Sequence, residues 1–395
     1  MPKILRIINR LNLGGPTYNA AYLTRYLAPE YETMLVSGKK DDSEESSEFI
    51  LERLGIDPVY IPEMKRQIDP LNDRSAYKKL KQIIREFKPD IVHTHASKAG
   101  TIGRMAAYNS GVPIIVHTFH GHVFHSYFNP FSTRIFAEIE KYLARKSTAI
   151  IAISEIQKQE LVFQYKIVSE DKIRVIPLGF DLERFREKQD EHRRQFRQKY
   201  NLTDEVAIGI IGRLVPVKNH DLFLESIKRT KEQTVIGIKA FIIGDGQRRV
   251  ELERLVKEMD LEDTVIFTSW IKDVEIAIAG LDIIALTSLN EGTPVSLIEA
   301  QAAGKPVVST EVGGIANIVL RDQTGFLSPT IDVDSFAANL LKLVTNEPLR
   351  KEMGSSGWSF IKDRFHYERL VNDTSDLYNQ LLNNESIRHD VAKSN

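Results

Sequence analysis

The 395-residue sequence contains no cysteine, which excludes disulfides and thiolate metal sites and makes a reducing compartment the expected setting. It has no apolar run approaching the roughly 20 residues that a membrane-spanning helix requires, so any membrane contact is expected to be peripheral. It also lacks the basic excess of nucleic-acid binders, its formal net charge being -1, and no nucleic-acid partner is expected. Low-complexity segments and short-period repeats are missing as well. The opening MPKILRIINRL is too short and too charged for a signal peptide and reads as a first strand.

What remains is ordinary globular material, 42% hydrophobic and 27% charged. At roughly 100–200 residues per domain, the length suggests two domains. Charge is unevenly spread: residues 1–190 are net +4 and residues 191–395 net -5. Between residues 60 and 88 lie Lys65, Arg66, Arg74, Lys78, Lys79, Lys81, Arg85 and Lys88, against Glu63, Asp69, Asp73 and Glu86. Such a surface can rest on anionic lipid, at roughly 1 kcal/mol per nearby cation less what the acids cancel. A solvated helix face has the same composition.

Short β-rich runs at 4–8, 33–36, 58–61, 90–95, 114–118 and 149–153 alternate with helical stretches such as 76–87 and 131–144. The series restarts with runs at 206–211, 239–243, 265–267, 283–286 and 306–309, separated by helices such as 222–230 and 249–259. Buried strands alternating with helices predict α/β architecture: two doubly wound parallel sheets facing across a cleft. The domain boundary is expected near Pro177–Asp181 and the charged stretch after it, and the tail beyond residue 384 is expected to fray. Open parallel sheets bind ligands beyond the C-terminal ends of their strands, so loops at those ends are where chemistry is sought.

The strongest signal there is Leu289-Asn290-Glu291-Gly292-Thr293-Pro294-Val295-Ser296-Leu297-Ile298-Glu299-Ala300, following a strand. Thr293 is expected to N-cap a helix with Pro294 at its first position and Gly304 as its stop. The free N–H groups of such a helix end suit a diphosphate, and Glu299 suits a ribose diol. Arg213 and Lys218, in Gly212-Arg213-Leu214-Val215-Pro216-Val217-Lys218-Asn219, follow the first strand of the second half. Cations there can neutralise charge on a leaving diphosphate. Gly244 ends a strand in a glycine turn, Gly244-Asp245-Gly246, and Gly313-Gly314 allows close backbone approach. Asp332-Val333-Asp334 precedes a helix, where capping explains it. A capped helix with surface glutamates and solvated cations is the bland reading of each piece taken singly.

Taken together and in this order, GRLVPVKN, IIGDG, SLNEGTPVSLIEA and AAGKPVVSTEVGG resemble the retaining family 4 glycosyltransferases, over about residues 3–380. The resemblance implies a GT-B fold: an acceptor-binding Rossmann-like domain at 1–183, a nucleotide-sugar-binding one at 184–365, and a helix with polar tail at 366–395 that crosses back to the first domain. It implies transfer of a hexosyl group from a nucleotide-diphosphate sugar, by default a UDP-sugar, with retention. Metal and other cofactors are not expected, since Arg213 and Lys218 stand where a cation is needed. In the family, the residue matching Glu299 holds the donor ribose and that matching Glu291 touches the transferred sugar. Backbone of Gly292, Thr293, Pro294 and Val295 contacts the sugar, and backbone near Trp270 and Ile271 contacts the base. Asn219 and the Thr293-Pro294 pair depart from the family's commoner residues, which bears on donor identity.

In the first half, Asn12-Leu13-Gly14-Gly15-Pro16-Thr17 opens a helix. The resemblance puts Gly15 near the donor phosphate or acceptor and Gly14 with the acceptor. Six of the ten histidines cluster at His93, His95, His117, His120, His122 and His125. A metal is one reading, but there is no H-E-x-x-H and no cysteine, and polar residues at strand ends also ring a cleft. The resemblance makes His120 the active-site histidine, with His122 a weaker candidate on the acceptor side. His95-Ala96-Ser97-Lys98 with Arg104 looks like bacterial surface-polysaccharide transferases (capsule, exopolysaccharide or O-antigen). That implies an acceptor sugar on a lipid carrier, in the cytoplasm at the inner face of the membrane; Lys98 and Arg104 can meet an acceptor phosphate there, or can simply form salt bridges. A sugar-nucleotide epimerase or hydrolase, or a non-catalytic sugar-nucleotide binder, is the alternative.

Overall fold

A computed structural model of the chain describes residues 1–11, 14–38, 47–65, 67, 69–121 and 130–394. The chain forms two compact units, Asp181–His366 and the remainder, the first unit being built from Met1–Phe180 together with the final helix Tyr367–Ser394.

The first unit holds seven parallel strands: β1 (Lys3–Arg10), β2 (Glu32–Gly38), β3 (Val59–Tyr60), β4 (Ile91–His95), β5 (Ile114–Phe119), β6 (Ala149–Ala152) and β7 (Ile173–Val175), in the order β3-β2-β1-β4-β5-β6-β7. Both faces are covered, which is why the strands read as continuous apolar runs rather than alternating ones. On one face Leu5, Ile7, Val92 and Ile115 pack against Ala76, Leu80 and Ile84 of helix Pro70–Phe87 and Ala99 and Ala106 of helix Ser97–Tyr108. On the other, Ile4, Ile91 and Val116 pack against Leu23 and Leu27 and against Leu370, Leu377 and Tyr378 of the final helix.

The second unit holds six parallel strands: β8 (Val206–Ile211), β9 (Ile238–Ile243), β10 (Val265–Ser269), β11 (Ile283–Leu286), β12 (Val307–Thr310) and β13 (Gly325–Ser328), in the order β10-β9-β8-β11-β12-β13. Its core joins Ile208, Ile210 and Ile242 to Phe223, Ile227, Phe336 and Leu340.

Three sequence expectations change. The edge strands β7 and β13 were not among the predicted runs. Helix Pro70–Phe87 begins before residue 76 because the Asp69 carboxylate accepts from the backbone N–H of Leu71 and Asn72, both at 3.1 Å, with Pro70 in the first turn. The tail expected to fray continues the final helix to Ser394. Among the described residues no helix is long and apolar enough to cross a membrane.

Each sheet has a switch point where strand order reverses: between β1 and β4 in the first unit, and between β8 and β11 in the second. The crevice at such a point, beyond the strands' C-terminal ends, is the ligand position that the topology defines.

Candidate functional site

At the switch point of the second unit, β8 runs into Arg213 and the turn Pro216–Lys218, and β11 runs into Ser288 and Glu291. Hydrogen bonds stitch these exits together. Leu289 N donates to Val217 O at 2.8 Å, Thr287 Oγ1 to Lys218 O at 3.0 Å, and Thr310 Oγ1 to Ser288 O at 2.6 Å. Lys218 Nζ is thereby set against Glu291 Oε1, which also accepts from Ser288 Oγ at 2.6 Å. Arg213 is exposed in the same turn and, among the described residues, makes no ion pair or side-chain hydrogen bond. The structure therefore brings Lys218 and Glu291 together and leaves the Arg213 guanidinium uncommitted.

The helix after Glu291 spans Val295–Ala302, with Pro294 in the N-cap position at φ -71 and ψ 104 and no side-chain cap. This corrects the expected Thr293 cap. Pro294 is still extended, so the helix starts one residue later, and the residue before it has no hydrogen-bonding side chain. With no acid in its first turn either, and with Leu297 N donating to Pro294 O at 3.2 Å, the helix leaves the N–H groups of Val295 and Ser296 without a partner among the described residues. Gly304, at φ 67, follows its C-terminal end. The Glu291-Gly292 loop is held by Gly313 and Gly314: Gly314 N donates to Glu291 O at 3.0 Å. A Cβ on Gly313 would fall 2.0 Å from Glu291 O, and one on Gly314 1.9 Å from Gly292 O. Gly244 plays the same part beside β8, since a Cβ there would fall 1.9 Å from Gly212 O, and its N–H donates to Ser269 O at 3.1 Å just before half-buried Trp270 and Ile271.

Glu299 is only 7% exposed and lies 3.4 Å from Arg184 Nη2. Burial pushes its carboxyl up to about 7, against the pull of Arg184 and with a further push from Glu275. Arg184 is a candidate that sequence reasoning missed; it lies just after the expected boundary, 115 positions from its partner.

In the first unit, β1 and β4 lead to the other switch point. Helix Gly15–Tyr26 starts with Gly14 in the N-cap position and again has no side-chain cap. Alternation along β4 puts His93 and His95 on one face and Thr94 on the other. His93 Nδ1 lies 2.6 Å from Tyr378 Oη and its Nε2 2.7 Å from Thr118 Oγ1. Arg6, fully buried, donates to Thr24 Oγ1 at 3.0 Å and to Tyr378 Oη at 3.4 Å. His95 Nδ1 lies 2.9 Å from Nε2 of half-buried His120. On the opposite face His117 Nδ1 lies 2.8 Å from Thr94 Oγ1. Burial holds His93, His95 and His117 well below the ordinary imidazole value, and desolvation takes His120 down to about 3. All four rings are therefore neutral near pH 7. Among the described residues no group of three or more His, Cys, Asp or Glu side chains is placed to hold a metal ion.

On the acceptor side both cations form salt bridges, the second of the two readings open for them. Arg104 is fully buried, its Nε donating to Gly100 O at 2.9 Å and its Nη2 pairing with Glu140 at 2.6 Å, so it presents no charge to a ligand. Lys98 pairs with Asp73 at 2.6 Å and also donates to Gln67 O. His122 lies outside the described residues, as do His125, Arg66, Asn12 and Leu13. Asp332 caps its helix, accepting from Ser335 N at 3.0 Å.

Two Rossmann-like units, one of which gathers cation, carboxylate and bare helix end at its switch point, define a glycosyltransferase of GT-B type. Residues 13–184 match the family model described as Glycosyltransferase Family 4, and residues 192–359 that described as Glycosyl transferases group 1. The sequence is 31% identical to the UDP-Gal:alpha-D-GlcNAc-diphosphoundecaprenol alpha-1,3-galactosyltransferase of Escherichia coli, over 82% of this chain and 84% of that protein. It is 27% identical to the capsular polysaccharide biosynthesis glycosyltransferase CapM of Staphylococcus aureus, over 82% and 85%. The fold matches the crystal structure of Anabaena Alr3699/HepE in complex with UDP, with a TM-score of 0.80 at 19% identity, covering 96% of this chain and all of that one. The chain belongs to the family 4 glycosyltransferases.

Proposed function

We propose that this glycosyltransferase moves a hexosyl group, with retention, from a UDP-sugar to a hydroxyl of a lipid-linked acceptor sugar during assembly of a bacterial surface polysaccharide. The observation that carries this reading is the meeting of Lys218, Glu291 and the uncapped start of helix Val295–Ala302 at one switch point. The relatives support the substrate class: one is named for UDP-galactose and a diphosphoundecaprenol acceptor, another for capsular polysaccharide.

In the proposed reaction the sugar C1–O bond to the β-phosphate breaks while the acceptor oxygen attacks C1 from the same face. The departing phosphate oxygen takes the acceptor's proton. Lys218, Arg213 and the helix N–H groups stabilise the diphosphate's growing charge without a metal ion. In the proposed reaction Lys218 turns from Glu291 to the phosphate, which frees the Glu291 carboxylate for hydroxyls of the sugar. Glu299, once ionised, accepts from the ribose diol. Backbone of Gly292, Thr293, Pro294 and Val295 lines the sugar, backbone of Gly244, Trp270 and Ile271 the base side, and Gly15 the phosphates. His120 contacts the donor sugar; as a neutral ring it does not oppose positive charge on C1. The second unit thus supplies most donor contacts, and the first, with Gly14, serves the acceptor.

The reaction is assigned to the cytoplasmic face of the membrane, with the first unit resting on anionic lipid. Helix Pro130–Lys146 supports this, since Ile135, Ile139 and Tyr142 are exposed on it beside Arg134, Arg145 and Lys146.

A thermal-shift series with UDP, GDP and ADP tests the donor, because a ligand bound only by the folded protein raises its midpoint by mass action. UDP is expected to stabilise most. Release of free sugar from the nucleotide sugar with no acceptor present would instead favour a hydrolase.

A further inference from the structure

Among the described residues the ring of His120 has one side-chain partner, His95, which is packed against a ring that is itself locked. Arg6 can only donate, so Tyr378 Oη accepts from it and sends its own proton to His93 Nδ1, 2.6 Å away. His93 then carries its proton on Nε2 and donates to Thr118 Oγ1 at 2.7 Å. One buried chain, Arg6–Tyr378–His93–Thr118, thereby fixes both the orientation and the tautomer of His93. His95 lies against that ring, centroids 4.3 Å apart and planes 33° apart, and its Nδ1 meets His120 Nε2 at 2.9 Å. The remaining nitrogens, His95 Nε2 and His120 Nδ1, are buried without a partner among the described residues. Both rings are neutral, so one of the two facing nitrogens donates and the other accepts. Whichever way the proton lies, His95 dictates whether His120 Nδ1 is a donor or an acceptor.

Resting on the assignment of His120 to the active site, we infer that His95 is a positioning residue that sets the ring orientation and tautomer of His120 through its Nδ1, with the Arg6–Tyr378–His93 chain as its backing. His95 need not touch substrate. Tyr378 belongs to the final helix, so that helix contributes to the site by holding β4's histidines in register rather than by contact with a ligand.

Three substitutions in the full-length protein separate this from a merely structural role. Asparagine places its amide where Nδ1 of a histidine sits, whereas glutamine places it where Nε2 sits. The first readout needs no substrate: ring-nitrogen NMR of protein labelled with 15N-histidine. His120 is expected to show one tautomer in the parent and in His95→Asn, and averaged shifts in His95→Ala and His95→Gln. The second is UDP release from UDP-galactose with a GlcNAc-diphosphate-lipid acceptor. There His95→Ala is expected to lower kcat roughly 10–100-fold, the usual span for partners that orient a functional ligand, with donor KM little changed. His95→Asn recovers most of this, and the double variant His95→Ala/His120→Ala is no worse than His120→Ala. An unchanged His120 pattern in His95→Ala, asparagine no better than glutamine, or losses that multiply in the double variant would each overturn the inference. Absence of UDP release by the parent from UDP-galactose and from the other UDP-hexoses, with the NMR pattern as expected, overturns the functional reading and leaves the positioning role standing.

Discussion

The Arg104 and Glu140 side chains in the first unit are 0% and 5% exposed, whereas Lys218 and Glu291 in the second retain 19% and 12%. Both are cation–glutamate pairs; the first joins two helices, the second two loops that follow strands. The sealed pair has no route to a ligand and serves the fold. The open pair can part when a stronger anion arrives, which is what the proposed reaction asks of it. The first unit carries the contrast further: beside the buried Arg6 guanidinium, its polar centre is made of neutral imidazoles. A leaving diphosphate needs cations, and a reacting carbon that gains positive character is better served by rings that carry none.

Breaking the sealed pair should have the largest effect. Arg104→Ala strands the Glu140 carboxylate in the core, and loss of one partner of a buried pair typically removes about 3–5 kcal/mol of stability. Replacing both at once, as Arg104→Met/Glu140→Leu, should restore most of it. Urea unfolding measures both. If the single variant lost less than about 1 kcal/mol, the pair would not be structural.

The open pair should respond the other way round. Lys218→Ala is expected to reduce kcat roughly 10²–10³-fold, as removal of one preorganised charge-stabilising group does. Its unfolding midpoint should move by no more than about 1 kcal/mol, because a partly solvated pair contributes little. Equal losses of stability in Lys218→Ala and Arg104→Ala would erase the distinction.

What could be read from the sequence follows the same divide. The loop Glu291–Val295 and its helix are contiguous, so their motif was legible, as were the central strands, whose apolar runs come from burial on both faces. The edge strands escaped notice because they are short and mixed: β7 is Ile173-Arg174-Val175, with Arg174 exposed, and β13 opens on a glycine. Arg184 and Tyr378 were beyond reach, since their partners Glu299 and His93 lie 115 and 285 positions away. No local pattern records such a pairing. The role of Arg104 stayed open between ligand and salt bridge because a basic residue two turns into a helix reads alike whether it meets a ligand or a buried glutamate on the next helix.

Gly314→Ala probes the loop contact that exposes the open pair. Its Cβ would fall 1.9 Å from Gly292 O, so the backbone must shift. A loss of about 1–3 kcal/mol is expected, in the range of overpacking, with weaker UDP binding. Gly55 provides the control for crowding, having left-handed φ 63 but nothing within 4 Å of its Cβ.

Glu299 gives a pH dependence of two opposite signs. Its folded value of about 7 lies above the ordinary 4.5, so the unliganded fold is favoured by the protonated form. That contribution is complete below pH 4.5 and is lost as pH rises through about 7. UDP binding needs the carboxylate to accept from the ribose, so affinity should fall as pH drops through 7, approaching roughly tenfold per unit where the protonated form does not bind. Titration calorimetry between these limits should show the slope in the parent and a flat profile in Glu299→Gln. A parent profile as flat as the variant's would remove Glu299 from the ribose.

The smallest effect is expected at Thr293. Loss of a genuine N-cap costs about 0.5–2 kcal/mol, and Asp332, which accepts from Ser335 N at 3.0 Å, should behave that way in Asp332→Ala. Thr293 makes no such bond, because the helix after it begins at Val295 behind an extended Pro294. Thr293→Ala should therefore change stability by less than about 0.5 kcal/mol, within the scatter of substitutions away from special features. The near-silence is itself informative. A helix end closed by Thr293 would resist an incoming phosphate and lose stability with the threonine, whereas an end left bare for a ligand does neither. A loss matching that of Asp332→Ala would mean the end is already satisfied and poorly suited to the diphosphate.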